Sequence, residues 1–307
     1  MPVIHVSSYE PGPEFLYVGA ARSGSSWFSE VLREHPAVFI PPNRATFYFT
    51  VHYGMGASWY EEFFLGKSQG RVAGEVCHDY LMESEALIRI KEYRPEMRLI
   101  CCFRNPYERA ISAWNFYKRH GLDQATLVAQ ASRNKDLFVQ GNYATQLRFA
   151  QALFPANQIF VLFYDDIARN PRGVARAVYE FIGVDPNFIP PSISARINVS
   201  TMPRSRALAR LVYDVHRWTW GRSHILSNAV GQVKRIRPVR RLVNRAIYGG
   251  EITIKDWREY LSEFPADVVN RYEWEIRDLE TLTNRDLRHW SASSVSDRVA
   301  VNAFESL

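Results

Sequence analysis

Phe15-Leu16-Tyr17-Val18-Gly19-Ala20-Ala21-Arg22-Ser23-Gly24-Ser25-Ser26-Trp27 is the stretch on which the fold turns. Its first six residues form a continuous apolar run that reads as a buried strand over 15–20. Helical spacing follows over 25–34 and is closed by His35-Pro36, because proline ends helices. A strand, a Gly/Ser turn and a helix in that order gather backbone N–H groups around one point, where the helix dipole also favours negative charge. Gly19 and Gly24 permit close backbone approach, the hydroxyls of Ser23, Ser25 and Ser26 add donors, and Arg22 adds a cation. Each hydrogen bond to a charged phosphate contributes about 1.5–3 kcal/mol net, so several together hold one phosphate firmly. A nucleoside-triphosphate loop of the form GxxxxGK(S/T) has lysine where this chain has Ser25. The turn therefore points to a 5′-phosphate without a triphosphate chain.

Working outward, further apolar runs over 71–76, 98–103 and 159–163 read as strands, and helical patterns occupy 84–93, 106–118 and 171–182. Proline at 106 sits at its favoured first-turn position and Gly183 closes the last of these helices. Strand–helix alternation predicts an α/β fold with a P-loop-type central parallel sheet flanked by helices. After about residue 185 the pattern becomes helical and loop-like. The spacing of Trp257, Tyr260, Leu261, Phe264, Val268, Val269, Tyr272, Ile276, Leu279 and Leu282 predicts a helical cap packed on the sheet. One domain over 1–307 is expected, with an α/β core over 1–185 that carries the phosphate turn and a helical and loop portion over 186–307.

The chain has 307 residues, 47% of them hydrophobic, which is ample for a core and excludes disorder. Its three cysteines, Cys77, Cys101 and Cys102, form neither a disulfide framework nor a metal-type spacing, so a reducing compartment is expected. No signal-peptide pattern and no apolar run long enough for a membrane helix is present, and a cytoplasmic location is the expectation. Arginine makes up 32 of the 38 basic residues. Residues 204–245 hold ten arginines and Lys234 against a single acid, Asp214. That segment reads either as a solvated basic face or as a contact for an anionic partner, and no nucleic-acid module accompanies it.

The order strand, (K/R)-x-G-(S/T)-(S/T), helix resembles the 5′-phosphosulfate loop of sulfotransferases that use 3′-phosphoadenosine 5′-phosphosulfate (PAPS). Arg22 stands where most members carry lysine; tyrosylprotein sulfotransferases carry arginine there. Arg98-Leu99-Ile100-Cys101-Cys102-Phe103-Arg104 and Ser112, eight residues further on, are similar to the family's 3′-phosphate motif. Trp27 matches its adenine-stacking tryptophan, and Tyr164 a tyrosine that contacts adenine in cytosolic members. His52-Tyr53, Gly56 and Trp59-Tyr60 resemble heparan N-sulfotransferases, and residues 142–186 resemble the family's next strand region. The resemblance spans about 14–290. It implies transfer of a sulfuryl group from PAPS to a hydroxyl or amine of a small-molecule or saccharide acceptor, with release of 3′-phosphoadenosine 5′-phosphate (PAP) and no metal. Arg22 would clamp the leaving phosphate, Arg22 to Trp27 would line the 5′ end, and Arg104 with Ser112 would grip the 3′-phosphate. A P-loop kinase or a catalytically silent nucleotide- or glycan-binding protein are the alternatives.

The general base is open. Heparan sulfotransferases place a glutamate shortly after the first helix, and the matching stretch here has Ala45. At the end of the next strand, Val76-Cys77-His78 keeps the histidine of the cytosolic Lys-x-His pattern and lacks its lysine, while Glu75 matches a glutamate of the Golgi-type motif. A histidine titrating near neutrality suits proton abstraction. The ranking is His78, then Glu75, then His52. Cys77 reads as a buried filler.

Overall fold

A computed structural model describes residues 12–194, 201–219, 248–251 and 256–293. The apolar runs form strands β1 (Phe15–Gly19), β2 (Val38–Phe39), β3 (Val72–Val76), β4 (Arg98–Phe103) and β5 (Ile159–Phe163), all parallel, in the order β2-β3-β1-β4-β5. The predicted strands stand within one residue of their expected limits. β2 is an addition: two residues pairing Val38 with Val72 at the sheet edge, too short to show any periodicity. Gly74 has no side chain because the Phe15 ring fills that space; a Cβ there would sit 2.1 Å from a ring carbon.

Between and after the strands run helices α1 (Ser25–Glu34), α2 (Ala57–Glu61), α3 (Ser84–Tyr93), α4 (Pro106–Arg119), α5 (Leu127–Arg133), α6 (Asp136–Val139), α7 (Tyr143–Leu153), α8 (Tyr164–Arg169), α9 (Pro171–Ile182), α10 (Arg206–Thr219) and α11 (Ala266–Thr283). Successive strand residues face opposite ways, so two cores form. Phe15, Tyr17, Ile100 and Cys102 pack under α1 and α9. Leu16, Val18, Leu99, Cys101 and Phe103 pack under α3, α4, α7 and α11. A short antiparallel pair, β6 (Thr201–Pro203) with β7 (Tyr248–Glu251), lies outside the main sheet.

The C-terminal amphipathic stretch is two pieces. A 3₁₀ segment, Trp257–Glu263, ends at Phe264-Pro265, and α11 begins there because proline cannot continue the earlier turn. Trp257 stacks on Tyr107 of α4 with centroids 4.7 Å apart and planes 9° from parallel. The Tyr272 hydroxyl donates to the Phe138 carbonyl at 2.9 Å. The stripe is therefore core, as its spacing predicts. Among the described residues no helix is long and apolar enough to cross a membrane.

From β1 the chain crosses to β2, returns through β3, and continues to β4 on the far side of β1. The strand order thus reverses at β1, and the crevice at that switch point, past the carboxyl ends of the strands, is where α/β sheets bind ligands. The Gly/Ser turn lies there.

Candidate active site

The turn after β1 is held from below. The Tyr17 hydroxyl donates to the carbonyls of Ala20 and Ser23 at 3.2 and 3.3 Å. Arg22 takes a left-handed backbone, φ 66°, and Gly24 follows at φ 96°. Gly24 needs its missing side chain, since a Cβ would approach Ile167 and Tyr164 at 3.2 and 3.4 Å. A left-handed arginine is costly, and such strain gathers at functional turns.

The start of α1 is open. Gly24 at its N-cap offers no side-chain acceptor. Asn105 caps α4 by accepting from the N–H groups of Tyr107 and Glu108, and Asn170 caps α9 by accepting from Gly173, whereas α1, like α3, α7 and α11, has no side-chain cap and is singled out by the arginines around its start. Helix N–H groups left uncapped in this way form an anion site.

Cations converge on that start. Arg22 Nε donates to Ser112 Oγ of α4 at 3.2 Å, and its guanidinium carbon lies 5.1 Å from the Phe116 ring centre. Arg44, in the coil after β2, donates to Ser26 Oγ at 3.0 Å. Arg104 pairs with Glu108 at 2.9 Å and lies over the Tyr164 ring at 4.7 Å, while its NH1 reaches the Arg22 carbonyl at 3.5 Å. Burial, then the fields of Arg104, Arg119, Arg44 and Arg109, pull the Arg22 pKa down to about 10, which leaves it charged at neutral pH. Positive charges that depress one another in a half-buried site are relieved by an incoming anion.

The residues singled out in the sequence fall into three groups. Arg22, Gly24, Ser26, Arg104, Ser112 and Tyr164 come together around the turn. Ser112 is engaged by Arg22, so the expected Arg104–Ser112 pair is a three-residue seam with Ser112 on the Arg22 side. Ser25 is buried in the first turn. Ser23 is fully buried, its hydroxyl beside that of Tyr143, so it offers the turn its backbone and not its side chain. Trp27 lies in the core with α9, 7% exposed, with its indole N–H donating to the Ile193 carbonyl at 3.1 Å, so little of its ring is open for stacking.

Of the candidate bases, His78 stands at the carboxyl end of β3, with Nε2 3.4 Å from Asp79 Oδ1 and its ring 6.0 Å from that of Phe47. Nδ1 has no hydrogen-bond partner among the described residues. Burial, then the fields of Arg44 and Arg22, holds its pKa below 6.5 against the opposing pull of Asp79, so the ring is neutral at pH 7. Glu75 corrects its expected role as a base. It is wholly buried, and its oxygens accept from Thr46 N and Thr46 Oγ1 at 2.6 and 2.8 Å, from Tyr60 at 2.6 Å, and from Tyr80 at 3.1 and 3.2 Å. A carboxylate with those acceptor positions filled and no solvent path anchors a loop rather than collecting a proton. His52 sits against Trp59 at 5.4 Å, its N–H bonded to the Phe47 carbonyl, one residue removed from His78. Cys77 is a buried free thiol that burial pushes well up, as expected of a filler.

Sequence reading missed Arg44. Nothing local marks it; the bond from Val76 N–H to its carbonyl at 2.9 Å brings it to the end of β3. Of the aromatics on the segment after β2 and on α4, Phe47, Tyr48 and Trp114 are buried, Tyr53 is exposed and Trp59 half-buried. The Trp218 side chain, Trp220, the Asn198-Val199-Ser200 stretch and most of the 204–245 basic cluster lie outside the described residues. Among the described residues no group of His, Cys, Asp or Glu is placed to hold a metal ion.

The chain is 25% identical over 203 residues to the human bifunctional heparan sulfate N-deacetylase/N-sulfotransferase 2, covering 57% of this chain and 22% of that protein. It is 27% identical over 184 residues to the mouse heparan sulfate glucosamine 3-O-sulfotransferase 3A1, covering 56% and 46%. The chain thus spans less than half the length of these two relatives. A sulfotransferase from Alicyclobacillus acidocaldarius has the same fold, with a TM-score of 0.64 at 20% identity over 92% of this chain and 99% of that one. Residues 13–202, which contain β1 to β5 and the open helix start, match the sulfotransferase domain, and the chain belongs to that family.

Proposed function

We propose that this protein transfers a sulfuryl group from PAPS to a hydroxyl or amine of a small-molecule or saccharide acceptor. The observation that carries the reading is the uncapped start of α1 with Arg22 fixed beside it and Arg104 on the adjoining strand end. An adenylate phosphorylated at both ends of its ribose matches two neighbouring cationic anchors. Ser25, where a triphosphate loop has lysine, favours this donor over ATP.

The acceptor heteroatom attacks sulfur in line, a new bond to sulfur forms, and the bond from sulfur to the bridging oxygen breaks. The electron pair stays on that oxygen, which departs as part of the 5′-phosphate of PAP. Catalysis rests on alignment and on charge stabilisation of the leaving oxygen. Arg22 supplies that charge together with the N–H groups of Ser25 and Ser26. Arg104 takes the 3′-phosphate, exchanging part of its pairing with Glu108, and Tyr164 offers a ring face beside it. His78, neutral at pH 7, accepts the acceptor's proton. Residues 186–307 complete the acceptor cleft, and three free buried thiols support a reducing, cytoplasmic setting.

The test is to incubate the protein with PAPS and a panel of phenols, amines and oligosaccharides in EDTA, and to follow PAP release and product mass. Products heavier by one sulfuryl group establish the reading. ATP- and Mg²⁺-dependent phosphorylation replaces it with a kinase. Tight PAP binding with no turnover on any acceptor replaces it with a silent binder.

A further inference from the structure

Arg44 has no part in the scheme above, yet it is among the most firmly mounted residues of the site. Its carbonyl accepts from Val76 N–H at 2.9 Å, at the end of β3. Two residues on, Thr46 is held by both its N–H and its hydroxyl to Glu75 Oε1, and Glu75 is itself fixed by Tyr60 and Tyr80. No cation is among those partners of Glu75. The carboxylate spends its acceptors on holding the 44–46 coil to the sheet.

From this mount the guanidinium reaches Ser26 Oγ in the first turn of α1. Arg22 reaches the same helix start from the side of α4. Both are anchored by serine hydroxyls, which leave their charge uncompensated, whereas Arg104 is paired with a carboxylate. Glu30, one turn beyond Ser26, is the acid whose field reaches Arg44, and Tyr17 and Cys77 also face it; no ion pair joins Arg44 to an acid among the described residues. Its own field reaches Arg22 and His78. Arg44 therefore joins the start of α1, through Ser26, to the end of β3 that leads to the proposed base, through Val76.

We propose that Arg44 is a second charge clamp, directed at the sulfuryl end of the donor and opposite Arg22, and that Glu75 is the positioning residue that holds it there through Thr46. This rests on the sulfotransfer reading and extends it: Arg22 serves the oxygen that leaves, and Arg44 the oxygens of the group that moves. Arg44 also discriminates donor from spent product, because PAP lacks the group it contacts.

The test compares parent, Arg44→Lys, Arg44→Gln, Glu75→Gln and the Arg44→Gln/Glu75→Gln double variant, with folding checked by thermal melting. Binding of PAP and of PAPS is measured by calorimetry without acceptor, and turnover at saturating PAPS. For Arg44→Gln the expectation is PAP affinity within about threefold of parent, PAPS affinity reduced about tenfold or more, and turnover reduced about 10²-fold, the scale of losing one oxyanion donor. Arg44→Lys recovers part of the turnover and is the variant to read should Arg44→Gln not fold. Glu75→Gln lowers turnover in the parent and adds nothing in the Arg44→Gln background, since two residues acting through one contact are not additive. If parent binds PAP and transfers sulfuryl groups while a folded Arg44 variant keeps both the PAPS-to-PAP affinity ratio and turnover within about twofold, the Arg44 clamp is wrong and the sulfotransfer reading survives. If the parent binds neither nucleotide, both fall.

Discussion

Arg22 Nε and Ser112 Oγ meet at 3.2 Å, tying the turn after β1 to the helix after β4 across 90 residues of sequence. The bond engages Nε and leaves the two terminal nitrogens of Arg22 as further donors two residues before the N-cap of α1. The Phe116 ring, 5.1 Å from the guanidinium carbon, limits its swing on the other side. A cation so held is pre-set for charge that develops on a leaving oxygen, and little reorganisation is needed when the bond breaks.

Arg22→Ala is therefore expected to reduce turnover by about 10²- to 10³-fold, the range seen when one pre-set donor is removed. PAP binding falls less, because the N–H groups of α1 and Arg104 remain. Rapid-quench turnover at saturating PAPS, paired with PAP calorimetry, checks this. Turnover within about twofold of the parent removes the clamp assignment.

Ser112→Ala keeps the guanidinium and removes its anchor. The loss of one hydrogen bond to a charged group is worth about 1.5–3 kcal/mol at most, and less where water replaces the hydroxyl. Turnover should drop about tenfold, with a smaller change in KM for PAPS. An effect confined to KM would assign Ser112 to the 3′-phosphate, as its sequence position suggests, and not to Arg22.

Arg104→Ala acts on affinity. Its guanidinium already has a partner in Glu108 and an aromatic face in Tyr164, so the site loses one phosphate contact and no charge near the reacting sulfur. PAP dissociation should rise by about tenfold or more, with turnover at saturation nearly unchanged. Equal losses in turnover and affinity would place Arg104 at the leaving group.

The parallel sheet was legible because buried strands in such sheets are continuous apolar runs, and 98–103 and 159–163 are of that kind. The helices were legible from their punctuation: Pro106 and Pro171 at first turns, Gly183 in a left-handed C-cap. β2 was not, since two residues carry no period. In the site, residues that share a local motif could be named from the sequence and lie together around the turn, whereas contacts made only by the fold could not be read from it. Arg44 heads the stretch matched to the heparan sulfotransferases, where only Ala45 drew notice, and its place in the site comes from its bond to Val76. Glu75 looked like a strand-end base, but the Thr46 coil and Tyr60, distant in sequence, close over it.

Glu75 gives a stability prediction of definite sign. Burial raises its pKa above 4.5 despite the four groups that donate to it. The folded protein then binds a proton more tightly than the unfolded chain, so Glu75 costs stability increasingly as pH rises above 4.5 toward its folded-state value. Glu75→Gln should flatten that descent and melt no lower than the parent at alkaline pH. Glu75→Ala, which leaves a cavity and strands the Thr46, Tyr60 and Tyr80 hydroxyls, should cost about 2–4 kcal/mol at every pH. Denaturant melts at several pH values check both, and a parent-minus-Glu75→Gln difference that grows with pH through this range would show that the fold favours the charged carboxylate instead.

The pH dependence of turnover separates His78 from every other base. Its pKa is held below 6.5 by burial and by Arg44 and Arg22, so the neutral ring that accepts a proton predominates through neutrality and is lost only as acid protonates it. Turnover at saturating PAPS should rise from low pH and level off before pH 7. Removing a nearby positive charge relaxes the depression, so Arg44→Gln should move the midpoint upward toward 6.5 while lowering the plateau. His78→Ala should lower the plateau about 10²- to 10⁴-fold and abolish the acid limb itself. If His78→Ala and Glu75→Ala both cause small, similar losses and leave the limb in place, neither takes the proton. The acceptor then carries its own means of losing it, as an unprotonated amine does.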